Sequence, residues 1–317
     1  MADIVFGSGI TIGTGISVLA PPPPPSNKAI FGYGFNSPLG GSQSMTNLVS
    51  NTGVVAADTT GVGTARSGLA AAGYGGDKAI FGYGFTGTVA SAVTNLVSNT
   101  GVVANNTTGV GTTRDGLAAA GYGSDKAIFG YGENPLTGSE YSMTNLVSNT
   151  GVVATDTTGV GTARQALAAA CYGSDKAIFG YGYGGSLRSL TNLVSNTGVV
   201  ATDTTGVGTA RYYLAAAGYG TDKAIFGYGS SGSEQSITNL VSNTGVVATN
   251  TTGVGTARSS LAATGYGVDT AMFGYGNAGA GPLSITNLVS NTGVVSTDTT
   301  GVGTVRQNLG AASYGLS

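Results

Sequence analysis

The stretch "LAAAGYGSDKAIFGYG", residues 117 to 132, reads as two short strands around a tight turn, and close copies of it recur along the chain. The runs on either side are small, apolar or β-branched, and the Gly, Ser and Asp between them suit a hairpin. Two more such runs follow, "TNLVS" and, beyond the turn "SNTG", "VVAT". The whole unit, "KAIFGYG…TNLVSNTGVVATDTTGVGTAR..LAAAGYG", occurs six times. Its Lys position falls at Lys28, Lys78, Lys126, Lys176, Lys223 and, substituted, Thr270, and its Arg at Arg66, Arg114, Arg164, Arg211, Arg258 and Arg306. No segment carries a capped helical periodicity, so the chain reads as all-β.

Repeat arithmetic locates every insertion. Each Arg stands 12 residues before the next Lys position, and each "TNLV" Thr stands 20 before its Arg. From the last Gly of "FGYG" to that Thr the spacing varies: 12, 10, 12, 9, 9 and 10. One connection per repeat therefore absorbs all the length change.

Four antiparallel strands every 47 to 50 residues predict a β-propeller, because one such sheet cannot bury both faces alone and gains a core by stacking on its neighbours. The repeats begin on the second strand, at Lys28, and the chain carries a lone first strand, "LGAASYG", at 309 to 315. That strand is expected to complete the first sheet and close a six-bladed ring, with the small-residue "LAAAGYG" strands innermost. The expected division is an N-terminal arm over 1–20, a polyproline linker over 21–26 and a six-bladed propeller of four-stranded blades over 27–317.

Composition removes several function classes. Only 8% of residues are charged, the net charge is −2, and there is no basic cluster for a phosphate backbone. His is absent and Cys171 is the single cysteine, which excludes disulfides within the chain, Cys/His zinc sites and Ser-His-Asp triads. Cys171 replaces a repeat Gly or Ser and reads as a buried, inert thiol. No apolar run is long enough to span a bilayer as a helix. Neither cofactor nor metal site is expected, and no enzymatic activity: the acid or amide eight residues before each Arg (Asp58, Asn106, Asp156, Asp203, Asn250, Asp298) is exchanged for Asn twice, which suits a hydrogen-bond acceptor for an Arg and not a proton carrier. The Asp before each Lys position reads as a turn cap.

The segment "TARSGLAAAGYGGDKAIFGYG", 64 to 84, resembles the kelch repeat: an Arg, a small-residue strand, a tight turn and an aromatic strand ending in glycines. It departs from that pattern in lacking the Trp of the fourth strand and in having Gly-Tyr-Gly for Gly-Gly. The repeat text with its "IVFGSGITIG" leader is also similar to repeat proteins of tailed bacteriophages. That resemblance implies a virion structural protein (tail fibre, tail appendage or capsid decoration) made in the host cytoplasm, present in many copies or as a homo-oligomer. A free carbohydrate-binding or self-assembling surface protein of the same fold is the alternative.

Topology brings the variable parts together. In a four-stranded blade the second-to-third connection and the connection into the next blade emerge on one face, and both tracts that differ between repeats belong there: the length-variable segments and the dipeptide after each Arg. A rigid scaffold with divergent loops on one face is how binding sites are built. Tyr141, Tyr183, Arg188, Tyr212 and Tyr213 are suited to stacking and hydrogen bonding, and Asp115, Glu133 and Glu140 supply charge there. A host-surface glycan or another virion component is the expected ligand.

The arm has its own reading. Ile4, Val5, Phe6, Ile10, Ile12, Ile16 and Val18 alternate loosely in the manner of a strand, and Pro21 to Pro25 form a spacer of about 15 Å at ~3.1 Å per residue. Such an arm is expected to add to the sheet of another virion protein as an anchor.

Overall fold

The computed structural model describes residues 27–315. The arm positions Ile4 to Val18 named above and the proline linker lie outside the described residues.

Among the described residues all regular structure is β. The run "LAAAGY" forms the A strands, Ala70–Tyr74, Ala118–Tyr122, Ala168–Tyr172, Ala215–Tyr219, Ala262–Tyr266 and Gly310–Tyr314. "KAIFG" forms the B strands, Lys28–Gly32, Lys78–Gly82, Lys126–Gly130, Lys176–Gly180, Lys223–Gly227 and Thr270–Gly274. "TNLV" forms the C strands, Thr46–Val49, Thr94–Val97, Thr144–Val147, Thr191–Val194, Thr238–Val241 and Thr286–Val289. These make six three-stranded antiparallel sheets with B in the centre. The A strand of the first sheet comes from the far end of the chain, with Lys28 opposite Tyr314 and Gly32 opposite Gly310.

The expected fourth strand is not a strand. Opposite each C strand the chain makes two isolated bridges, such as Val147 with Val153 and Thr144 with Thr157, and their register differs by one residue. The cause is the Asn of "TNLV". Asn145 donates its side-chain amide to Ala154 O at 3.0 Å, taking an acceptor that a regular ladder would use, and the extra residue bulges outward.

The A strands lie side by side from sheet to sheet, and Gly310–Tyr314 meets Ala70–Tyr74 in turn. Two series of backbone hydrogen bonds link their ends. Where they begin, the residue two after each Arg donates to its counterpart in the preceding sheet: Gly116 to Gly68, Ala166 to Gly116, Tyr213 to Ala166, Ser260 to Tyr213, Asn308 to Ser260 and Gly68 to Asn308, all at 2.7–2.9 Å. Where they end, the Gly after each A-strand Tyr donates to the following sheet's turn, as Gly123 does to Asp175 O and Gly315 to Asp77 O. Along each A strand the residues alternate, with Ala118, Ala120 and Tyr122 buried in the packing and Ala119 and Gly121 half-exposed toward the space the strands share. Cys171 occupies a Gly121-type position, so it is exposed to that space instead of buried as expected. Protein surrounds it there, and burial pushes the thiol pKa up.

The core lies between sheets, not within them. Each B-strand Phe packs on the preceding sheet's last B-strand Gly, and a Cβ on Gly130 would stand 2.8 Å from the Phe179 ring. The Tyr of "FGYG" then adopts a left-handed φ of 63–64° in all six repeats and is wholly buried. A bulky residue in that region costs on the order of 1 kcal/mol. The cost is offset by packing: Tyr131 meets Phe179 at a centroid distance of 5.1 Å and lies under the Arg164 guanidinium at 4.3 Å.

Arg164 is fully buried, and it bolts the third sheet to the fourth. Its Nε donates to Tyr181 O (2.8 Å), Nη1 to Thr162 O (3.0 Å) and Nη2 to Asn192 Oδ1 (2.7 Å). The expected Asp stands behind this Asn: Asp203 accepts from Asn192 and from Thr162 Oγ1, with the Arg itself 3.9 Å away. Where Asn106 replaces Asp, its amide donates to Thr64 Oγ1 while its carbonyl still accepts from Asn95. The exchange is tolerated because the bond accepted from Asn is kept while the Thr hydroxyl, which can donate or accept, reverses its role. The Asp of the turn accepts from side chains as well as from backbone: Asp125 takes Lys126 Nζ at 2.9 Å and Asn149 Nδ2 at 3.1 Å, and a backbone N–H also helps to lower its pKa.

Candidate functional site

The two variable tracts meet as a set of built pairs. The residue directly after each Arg forms a mutual two-bond backbone bridge with the residue directly after "FGYG". The pairs are Gln307 with Phe35, Ser67 with Phe85, Asp115 with Glu133, Gln165 with Tyr183, Tyr212 with Ser230, and Ser259 with Asn277. An identical backbone device thus presents six different side-chain combinations, one per sheet. Beside each pair stands the residue that links neighbouring sheets, held at a left-handed φ of 51–62°.

A cavity of about 140 Å³ lies at the head of the A strands, lined from all six sheets by these linking residues and the leucines that follow them; of the pairs, Ser67, Asp115, Glu133 and Gln165 reach it. Its floor is six near-identical leucines, among them Leu117, Leu167 and Leu214, each about 5% exposed. Its wall is polar and uneven. Asp115, Glu133, Gln165 and Tyr213 stand on one side, whereas the opposite side carries Ser67, Ser260 and Asn308.

The structure brings three of the expected residues, Asp115, Glu133 and Tyr213, together at this cavity. Glu140 lies one step further out, facing Glu133 across a two-residue ladder. Tyr183, Tyr212 and Tyr213 form a continuous aromatic row, with centroids 6.3 and 4.7 Å apart, running from an exposed ring down to the cavity. Arg188 and Tyr141 do not line the cavity. Arg188 folds back to donate to Gly184 O at 2.9 Å, and Tyr141 is held by backbone bonds to Gly132 and Arg164. Gln165 was missed. Its signal is a constant spacing: in five repeats the residue after the Arg and the residue after "FGYG" are 18 apart, and the first sheet draws the same pair from opposite ends of the chain.

Electrostatics at the cavity is one-sided. Asp115 and Glu133 are directly opposite in the bridge, a like-charge placement that destabilises a ladder, and no Lys or Arg lines the cavity. Burial, and secondarily the Glu133 charge, pushes Asp115 up to about 7. Burial, then Glu140, raises Glu133. Burial and the two carboxyls push Tyr213 up to about 12.

A stability prediction follows from Asp115. Its folded-state pKa is raised, so its contribution is fully present below the ordinary carboxylate value and is lost as pH rises toward 7. Asp115→Asn keeps the side chain neutral. Its advantage over wild type in urea unfolding should therefore grow from pH 4 through pH 7 and level off above that at on the order of 4 kcal/mol. An advantage independent of pH would show that Asp115 is not the titrating group.

No family model matches the chain, and no curated protein matches it.

Proposed function

We propose that the chain is a six-bladed, kelch-like β-propeller with an irregular fourth edge on each blade, and that it works without catalysis as a recognition disc of a tailed-phage virion, presenting its variable face to a host-surface glycan. Closure is supported by the pairing of Gly310–Tyr314 with Lys28–Gly32 and by two series of backbone bonds that return to the sheet they start from. The fold resemblance rests on the Arg, small-strand, turn and aromatic-strand order of each repeat.

One observation carries the binding reading: six different side-chain pairs sit on one repeated backbone bridge, and Ser67, Asp115, Glu133 and Gln165 from three of those pairs line a common cavity. A scaffold repeated nearly verbatim that diverges where its side chains converge is built for recognition. The aromatic row from Tyr183 to Tyr213 offers stacking surface at low entropic cost, as sugar rings require. The arm over 1–20 anchors the disc to another virion protein.

The test has two arms. Mass spectrometry of purified particles should find the protein, and its absence sinks the virion assignment. A glycan array should give signals that fall at least tenfold in a Tyr183→Ala, Tyr212→Ala variant; signals unchanged by the double substitution remove the variable face as the binding site.

A further inference from the structure

The outer rim carries an apolar groove between the fourth and fifth sheets. Leu193 and Val207 line it from the fourth repeat, Val246 and Val247 line it from the fifth, and threonines complete a cavity of about 200 Å³. No charged residue lines it. Leu193 and Val207 are half-buried, whereas Val246 is 65% exposed, and the same valine is 65–66% exposed in all six repeats. A single exposed valine is ordinary, but one that extends an apolar lining marks a surface that another apolar group can cover.

The chain carries such a group ahead of the described residues. Positions 4–20 hold Ile, Val and Leu, one aromatic residue, Phe6, and no charge. An apolar cavity of roughly 150 Å³ accepts a benzene ring, so the groove has room for the Phe6 side chain. The point of attachment decides which copy it meets. Asn27 precedes a B strand and accepts from Gly267 N at 2.7 Å, beside the end of an A strand, while the groove lies beyond a C strand. The nearest groove of the same disc is thus two inter-strand spacings from Asn27, ~10 Å. The stiff spacer expected over Pro21 to Pro25 is by itself about 15 Å long, so it carries the arm past its own rim.

We infer that Phe6 of one copy seats in the rim groove of a neighbouring copy, so that the arms link discs side by side. This rests on the reading of the arm as an anchor and names its receiver as a second copy of this chain. The contact is made by the side chain and not by an added strand, because the segment beyond each C strand is joined to it by two isolated bridges out of register and offers no regular edge. The groove's residue types recur at the other boundaries between sheets, as in Leu146, Val160 and Val199 between the third and fourth. One disc can therefore receive several arms. Linked discs hold several variable faces toward one surface, where weak sugar contacts gain by avidity.

Photo-cross-linking on the intact chain tests this. With p-benzoylphenylalanine in place of Phe6, irradiation should give covalent dimers, and mass spectrometry should place the link at Leu193, Val207, Val246 or their counterparts in other repeats. Light scattering supplies a second measurement. Phe6→Asp should raise the dissociation constant for self-association at least tenfold, and Phe6→Leu should retain the association. Links found within one chain only, or on another tract, overturn the inference, as does self-association unchanged by Phe6→Asp. Links in particles that reach a different virion protein and never a second copy overturn it in favour of that receiver. Covalent dimers from the purified chain, with particles that keep their full complement of the Phe6→Asp protein, leave the inference standing and remove the arm as a virion anchor. Particles that lose the Phe6→Asp protein while the purified chain gives no dimer do the reverse.

Discussion

Arg164→Ala is expected to cost about 3–5 kcal/mol in urea unfolding, as removal of one partner from a buried charged network does. At ~2–4 °C per kcal/mol for a domain of this size, the thermal midpoint should fall by roughly 10 °C. The guanidinium is inaccessible to solvent, and desolvation lowers its pKa from the usual arginine value. Alanine would leave Tyr181 O, Thr162 O and Asn192 Oδ1 without donors and open a cavity beneath the Tyr131 ring. Lysine should restore only part of the loss, because one ammonium cannot reach three acceptors arranged for a planar fork.

The repeats supply an internal control. Arg114 and Arg258 make the same three bonds as Arg164, and their alanine variants should cost the same. Arg306, at the seam, differs. Its Nε is unpartnered, its Nη1 turns to Met45 O, and it lies 5.0 Å from the Tyr275 ring against 4.3–4.5 Å elsewhere. Arg306→Ala should therefore be the mildest of the set by about 1 kcal/mol, one hydrogen bond's worth. Equal losses at Arg164 and Arg306 would mean that the packing of the side chain, and not its bonds, sets the cost.

How far the fold could be read from the sequence depended on what kind of information each feature needed. Period and turn chemistry placed the A, B and C strands, because small-residue, aromatic and β-branched runs bounded by Gly and Asp leave few alternatives. "VVAT" has the same letters as a strand and failed to be one. The deciding bond, from the Asn145 side chain to Ala154 O, depends on which face of the C strand the Asn occupies. The acceptor role of the Asp was legible, but not the side chain that stands between it and the Arg. Asp203 has the right chemistry, yet Asn192, a neutral residue with no charge signature, stands between it and Arg164. At the candidate site the face was legible from topology and length variation. The pairing of Asp115 with Glu133 was not, since it joins tracts that look like two independent loops until the backbone bridge is seen.

Ending the chain at Arg306 should abolish folding, whereas moving the removed segment to the other end should restore it. The A strand Gly310–Tyr314 pairs with Lys28–Gly32 over five residues, and Ala29, Ile30 and Phe31 beneath that pairing are wholly buried. Removing it exposes both an apolar middle strand and an unpaired edge, a combination that favours aggregation. It also removes Tyr314, whose ring covers Gly101 of the next sheet, and breaks the Gly68–Asn308 and Asn308–Ser260 links. The loss should exceed the ~5–15 kcal/mol that a folded domain has in hand. A permuted chain that runs from Gln307 to Leu316, continues directly into Asn27 and ends at Arg306 provides the discriminating control. It places Tyr314 four positions before Lys28, the spacing that joins Tyr122 to Lys126 within an ordinary repeat. Every sheet then keeps its strands, and the covalent break moves to the connection after Arg306. The permutant should elute as a monomer or native oligomer with a urea midpoint near that of wild type, while the truncation aggregates. A truncation that unfolds at the wild-type midpoint would show that the sheets stand as an open array, and that the pairing between the two ends of the chain contributes nothing to stability.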